Sequence, residues 1–176
     1  RVAAGLSTRA EAKRFIYAFL FGAGNNKLGS ILNCSPAEAG NVRKRFLENL
    51  PAFGLLTSNI ENTLSVRKYL KGIDGRFYHI RSAHAALNVL LQGAEAVLMK
   101  KATVLLACAL QENTKYTDTK IVLHVHDELQ VETSDQTAAD VGALFREALK
   151  AAGVFYKFRC ALDTDAKVGA NWAETH

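Results

Sequence analysis

Residues 121–132, IVLHVHDELQVE, constrain the fold more than any other stretch of the chain. Ile121, Leu123 and Val125 alternate with Val122, His124 and His126, the period of a strand that is half or fully buried. The acidic pair Asp127-Glu128 interrupts the pattern before Leu129 and Val131 resume it. The spacing predicts two antiparallel strands, over 120–125 and 129–132, with the pair where the hairpin turns. A hairpin tip projects two carboxylates from a rigid base, as a divalent metal site requires. Two other readings compete: Asp-Glu at a turn is common turn chemistry, and His124-x-His126 is half of a zinc ligand set. The zinc reading lacks a third and fourth ligand nearby.

Upstream of the hairpin the sequence is mostly helical. Thr8 followed by Glu11 is a capping-box signal and opens a helix to about Phe21, with Phe15, Ile16, Phe19 and Leu20 as its apolar stripe. Ser35-Pro36 opens a second, to about Glu48, since Pro suits the first helical turn. A third spans Phe53 to about Lys71. Asp74-Gly75 between short β-prone runs predicts a hairpin, and 84–112 reads as one long, mostly apolar helix. After the central hairpin, Ser134 is expected to cap a helix over 136–152 stopped by Gly153, and 155–163 reads as a last strand. There is no internal repeat or low-complexity segment. The reading is α+β, a helical lobe over 1–78 followed by a mixed lobe over 79–176.

Charge divides along the same line. Residues 1–81 hold 13 Lys and Arg against 5 Asp and Glu, whereas 82–176 hold 9 against 12. A basic half joined to a slightly acidic half suits one surface for a polyanion and another for cations; a solvated basic surface without a partner is the plain alternative. Cys34, Cys108 and Cys160 fit no paired or metal-ligand spacing and read as reduced core thiols. The longest apolar run, 94–110, is broken by Glu95, Lys100 and Lys101, which argues against a membrane span. The chain begins at Arg1 with no signal-peptide pattern behind it, so a cytoplasmic protein is expected.

Two polar stripes stand out. Arg9, Lys13 and Tyr17 follow one another at intervals of four, along about 12 Å of one helix face. Two cations and a ring suit a triphosphate and its attached sugar or base; a solvated basic face bordered by Tyr17 is the alternative. His84, Asn88 and Gln92 repeat the spacing on the long helix, where donors and acceptors must be satisfied internally or face a partner such as a DNA groove.

Together these features resemble the family A DNA polymerases. TRAEAKRFIYAFLFGAG is similar to motif B, the fingers helix, here over 7–22. LHVHDELQVE resembles motif C, the palm hairpin, within 120–132, and HAALNVLLQGAEA is similar to the palm helix between them. The ending GANWAETH looks like the close of the short replicative polymerases of tailed phages. The resemblance covers essentially the whole chain, in the family's order.

It implies template-directed addition of dNTPs to a primer 3′-hydroxyl by a two-metal mechanism. Asp127 would be one of two aspartates binding catalytic Mg2+ ions, with Glu128 and His126 supporting the site and Glu128 near the metals or the primer end. Arg9 and Lys13 would hold the nucleotide's phosphates, with Lys13 placed to protonate pyrophosphate. Tyr17 would lie against the sugar, a residue associated in this family with weak discrimination against dideoxynucleotides. Phe21 and Gly22 would meet the template base, and His84, Asn88 and Gln92 the primer–template, with Gln92 in the minor groove. Phe21 stands where many members have Tyr, which keeps stacking but removes a hydroxyl.

Motif A, with the second aspartate, finds no counterpart before Arg9. The expectation is therefore a C-terminal fingers and palm portion without motif A, thumb or exonuclease, inactive alone and retaining weak DNA binding. Its partners would be primer–template DNA, a dNTP and an upstream segment carrying motif A, in the same parent chain or a separate one. A phage-encoded parent would work in the bacterial host cytoplasm. A stand-alone DNA-binding module and a metal-dependent nuclease built on the His-x-His-Asp-Glu cluster are the competing readings.

Overall fold

The computed structural model describes residues 1–175, which cluster into two compact units, 1–92 and 93–175. The first unit opens with α1 (Arg9–Leu20), α2 (Asn25–Leu32), α3 (Pro36–Asn49) and α4 (Pro51–Val66). The predicted capping box at Thr8 forms, and a second one, not expected from the sequence, forms at Ser35. Thr8 Oγ1 accepts from Glu11 N at 3.1 Å while Glu11 Oε2 accepts from Thr8 N at 2.9 Å. Ser35 and Glu38 repeat the exchange at 3.2 and 2.8 Å. Each box satisfies amides that a helix start leaves without partners.

α1 buries Ala12, Phe15 and Phe19, the inward side of an amphipathic helix. Phe15 and Phe19 meet Phe46 of α3 edge-on, at ring-centroid distances of 5.3 and 5.4 Å, and Leu28 and Ala39 complete this core. Fully burying a large apolar side chain contributes about 1.5–3 kcal/mol, so this cluster is what fixes the inward face of α1. Its opposite face is thereby left in solvent.

Two features of this unit differ from the expectation. α2 has no side-chain cap and carries Gly29 in its interior, so its sequence signals are weak. Gly29 is needed because a Cβ there would stand 2.7 Å from the Cys34 carbonyl oxygen. The predicted third helix stops at Val66 rather than Lys71, because Tyr69–Lys71 (β1) pairs antiparallel with Phe77–His79 (β2). Strand pairing and burial of Leu70 beside Ile60, Ala86 and Leu87 outweigh the helical continuation. The Asp74-Gly75 turn is as read, with Gly75 at φ 87° and Arg76 Nε bound to Asp74 Oδ2 at 2.5 Å.

The long helix α5 (Ala86–Gln111) follows a 3₁₀ turn over Ala83–Ala85. In the second unit, β3 (Lys120–Val125) and β4 (Glu128–Glu132) form the predicted antiparallel hairpin, followed by α6 (Ala138–Phe155) and a short α7 (Trp172–Thr175). Leu106 and Leu110 of α5 cluster with Val141 and Ala148 of α6, and Ile121, Leu129 and Val131 of the hairpin pack against them. A register shift between Ile121 and Leu123 leaves Val122 exposed. The hairpin is therefore covered on one side only, as an antiparallel pair permits.

Four expectations are corrected. α6 starts at Ala138 behind a Thr137 cap. Ser134 binds the Thr137 hydroxyl within a chain of hydroxyls that includes Thr119 and Thr133. Gly153 lies buried inside α6 rather than ending it; a Cβ there would stand 2.9 Å from Leu162 Cδ1, so glycine admits a leucine from the following segment. Residues 156–163 form no strand. Lys157 at φ 57° turns the chain out of the helix, and Phe158 and Leu162 pack from irregular backbone against Leu98, Ala102 and Ala152. The cysteines are free, but Cys108 and Cys160 are exposed and Cys34 is half-buried, so they are not core thiols. None of the described helices is long and apolar enough to cross a membrane.

Candidate functional site

The residues singled out from the sequence fall in two groups, one in each unit. In the first unit, Arg9, Lys13, Tyr17 and Phe21 are all exposed, on the face of α1 and its C-cap opposite Phe15 and Phe19. Tyr17 and Phe21 are 53 and 59% exposed, large for aromatic rings next to an aromatic core. The Lys13 ammonium stands 5.7 Å from the Tyr17 ring centroid, so charge and ring form a continuous surface. Such a surface can neutralise an anion at one end and stack a flat apolar group at the other. Glu11, the one acid nearby on α1, is engaged: the backbone amide and then the hydroxyl of Thr8 hold its carboxyl below its ordinary range.

The end of α1 is built against the second polar group. Gly22 adopts φ 76°, and a Cβ there would stand 2.2 Å from the backbone oxygen of His84. Glycine is thus required twice, for its left-handed backbone and for the close approach. The consequence is that Phe21-Gly22 and His84 are neighbours, although 62 positions separate Gly22 from His84. His84 is exposed within the 3₁₀ turn, Asn88 is half-buried on α5 and Gln92 is exposed. His84 therefore belongs to the turn before the helix, not to the helix proper.

In the second unit, Val125 pairs with Glu128, so the turn consists of His126 and Asp127, both exposed. His126 takes φ 52°, a conformation that costs a non-glycine residue about 1–2 kcal/mol. The expected turn pair thus shifts by one residue: Asp127 is at the tip, whereas Glu128 opens β4 and is half-buried. Gln130 Nε2 donates to Glu128 Oε1, and the Trp172 indole Nε1 donates to the same oxygen at 3.1 Å. Thr175 Oγ1 donates to Gln130 Oε1 at 3.3 Å. Trp172, Thr175 and Gln130 have no role assigned from the sequence; the signal there is the resemblance of the GANWAETH ending.

The metal readings fare differently. His124 is exposed, and its Nδ1 lies 3.3 Å from the Thr103 hydroxyl. Among the described residues, no three His, Cys, Asp or Glu side chains converge to hold a metal ion. The donor set here is Asp127 plus a Glu128 oxygen already shared by two N–H donors. It does not by itself fit the Mg2+ ions that the resemblance implies, nor the zinc alternative.

A sequence model of DNA polymerase family A matches residues 3–174. The DNA-directed DNA polymerases of Enterobacteria phage T3 and Escherichia phage T7 are each 38% identical over the whole chain, which spans 28% of their length. DNA polymerase I of Aquifex aeolicus is 29% identical over 84% of the chain and 26% of its own length. Among solved structures, the POL domain of Pol1 from M. smegmatis, in complex with DNA primer-template and dNTP, superposes with a TM-score of 0.75. It is 23% identical, over 82% of this chain and 27% of that one, a likeness of fold. The chain spans little more than a quarter of the phage relatives, and it belongs to DNA polymerase family A.

Proposed function

We propose that this chain supplies the nucleotide-binding helix and one catalytic carboxylate of a DNA-directed DNA polymerase. The supporting observation is the exposed row Arg9, Lys13, Tyr17 and Phe21, held outward by the aromatic core beneath it and ended by Gly22 against His84. Arg9 and Lys13 bind the triphosphate of an incoming dNTP through charge-assisted hydrogen bonds. Lys13 is the proton donor to the departing pyrophosphate. Tyr17 bounds the sugar, and Phe21 with Gly22 provides the flat end on which the template base rests. His84, Asn88 and Gln92 contact the primer–template, with Gln92 in the minor groove, where acceptors are common to all base pairs.

At the hairpin, Asp127 is the catalytic carboxylate, with Glu128 and His126 supporting the site and Glu128 near the primer end. The described residues do not complete a magnesium site. On this reading the chain on its own is inactive in primer extension and binds DNA only weakly. It becomes catalytic with an upstream segment that carries a second aspartate, in one polypeptide or two. In this reading 1–78 is the fingers portion and 79–176 the palm portion.

The test is primer extension by the chain with and without such an upstream palm-and-thumb segment. Extension is expected only in the complemented sample and is lost with Asp127→Ala, by roughly 100-fold or more. Equal extension by the Asp127→Ala protein sinks the assignment of Asp127. DNA binding that is unchanged by complementation, with no extension, favours a stand-alone binding module instead.

A further inference from the structure

The segment after α6 runs back over the second unit and ends on Glu128. Leu162 fills the space above Gly153. Arg146 Nε of α6 then binds Asp163 Oδ1 at 2.7 Å and the Thr164 carbonyl at 3.1 Å. Ala166 crosses at Gly142, where a Cβ would stand 2.7 Å from the Ala166 methyl. These anchors lead the chain along α6 toward the hairpin, and two of them depend on the absence of a side chain.

The last turn is locked locally. Glu174 accepts from Ala170 N at 2.9 Å and from Asn171 Nδ2 at 2.8 Å, which closes the loop into α7. Trp172 then points its indole N–H at Glu128 Oε1, 3.1 Å away, although its ring is 55% exposed. An exposed indole is not placed by burial, so the anchors and this hydrogen bond fix it. The Thr175 hydroxyl lies 3.0 Å from the Trp172 carbonyl oxygen and 3.3 Å from Gln130 Oε1, and Gln130 Nε2 donates to the same Glu128 oxygen. Two N–H donors on one carboxylate oxygen, one from Gln130 of the same strand and one from the tail, restrict both the rotamer and the plane of the carboxylate.

The geometry points to the tail from Phe158 to Thr175 as a strap that orients Glu128, with the Trp172 indole N–H as the positioning group. This rests on the polymerase reading, in which Glu128 stands next to the catalytic Asp127. Glu128 opens a strand immediately after an exposed turn, where a carboxylate without fixed donors would sample several rotamers. The strap thereby makes the side chain beside Asp127 depend on residues at the other end of the unit. Groups that orient a site in this way typically change rate by roughly ten-fold when removed.

The protein contains one tryptophan, so its indole N–H gives a single side-chain resonance. In the 176-residue chain, that resonance is expected to be protected from solvent exchange, and to shift and exchange faster in Glu128→Ala. An indole signal unmoved by Glu128→Ala overturns the strap. In single-nucleotide insertion by the complemented protein, Trp172→Phe is expected to lower kcat roughly ten-fold, with KM for the dNTP within about two-fold of the parent. On a Glu128→Ala background it should cost nothing further. Gly142→Leu, which displaces the strap at a distance, should show the same kcat loss and the same indole shift. If Asp127→Ala leaves insertion intact, the polymerase reading fails, while the indole spectrum still reports on the strap. If Asp127→Ala abolishes insertion but Trp172→Phe and Gly142→Leu insert at the parental rate, the strap inference fails alone.

Discussion

Replacing Gly22 by alanine tests the packing that joins the end of α1 to His84. Two costs combine. The backbone there has φ 76°, so a Cβ adds about 1–2 kcal/mol of left-handed strain. That Cβ would also stand 2.2 Å from the His84 oxygen and 2.9 Å from its carbonyl carbon, and both are backbone atoms. The neighbour is roughly 1 Å inside ordinary contact, and forced repacking of this kind costs about 1–3 kcal/mol. Alanine also narrows the unfolded ensemble, which offsets about 0.4–1 kcal/mol. The net expectation is a loss of about 2–4 kcal/mol. For a unit of this size that corresponds to a fall in Tm of about 10–20 °C. Urea unfolding followed by far-UV circular dichroism reads it directly. Gly24→Ser is the control: Gly24 has φ −72°, nothing lies within 4 Å of its Cβ position, and it caps α2 without a side chain. Serine there should stabilise by about 0.5 kcal/mol. A Gly22→Ala midpoint within experimental error of the parent would refute the close approach.

Three further outcomes follow from the same structure. Phe15→Ala, at a ring with no exposed surface between Phe19 and Phe46, should cost about 3–5 kcal/mol by urea titration; less than 1 kcal/mol would mean the aromatic cluster is not the core of the first unit. Glu11 and Glu38 both titrate below their ordinary value of 4.5, held there chiefly by the Thr8 amide and the Ser35 hydroxyl. Their contribution is full above that value and is lost as pH falls through the lowered one, so Tm should decline below about pH 4.5. The Thr8→Ala, Ser35→Ala double variant should show a shallower acid decline, and an equally steep one counts against the capping boxes. Within the polymerase reading, Tyr17→Phe should reduce incorporation of dideoxynucleotides relative to dNTPs in the complemented assay; an unchanged ratio removes Tyr17 from the sugar's surroundings.

The sequence by itself determined the elements whose signals are local. Thr8-x-x-Glu11 and Ser35-Pro36-x-Glu38 carry their own caps, Asp74-Gly75 its own turn, and IVLHVHDELQVE its own alternation. Each depends on residues a few positions apart, so no distant partner is needed to read it. The same holds for the stripe Arg9, Lys13 and Tyr17, since helical periodicity alone puts three residues at intervals of four on one face.

Tertiary structure decided what local propensity leaves open. Tyr69–Lys71 became a strand because Phe77–His79 was there to pair with it. Gly153 stayed inside α6 because Leu162 needs its space, and 156–163 lost the strand that its apolar residues suggested. The hydrogen bond from Trp172 to Glu128 crosses 44 positions, and its course depends on Gly142, Arg146 and Gly153 of a helix between them. No periodicity in the sequence announces such a contact, because its physical cause is the shape of the surface along which the tail is laid. The acidic pair at the hairpin was legible from spacing. That Asp127 is left at the tip while Glu128 is held from the far end of the unit was decided by the fold.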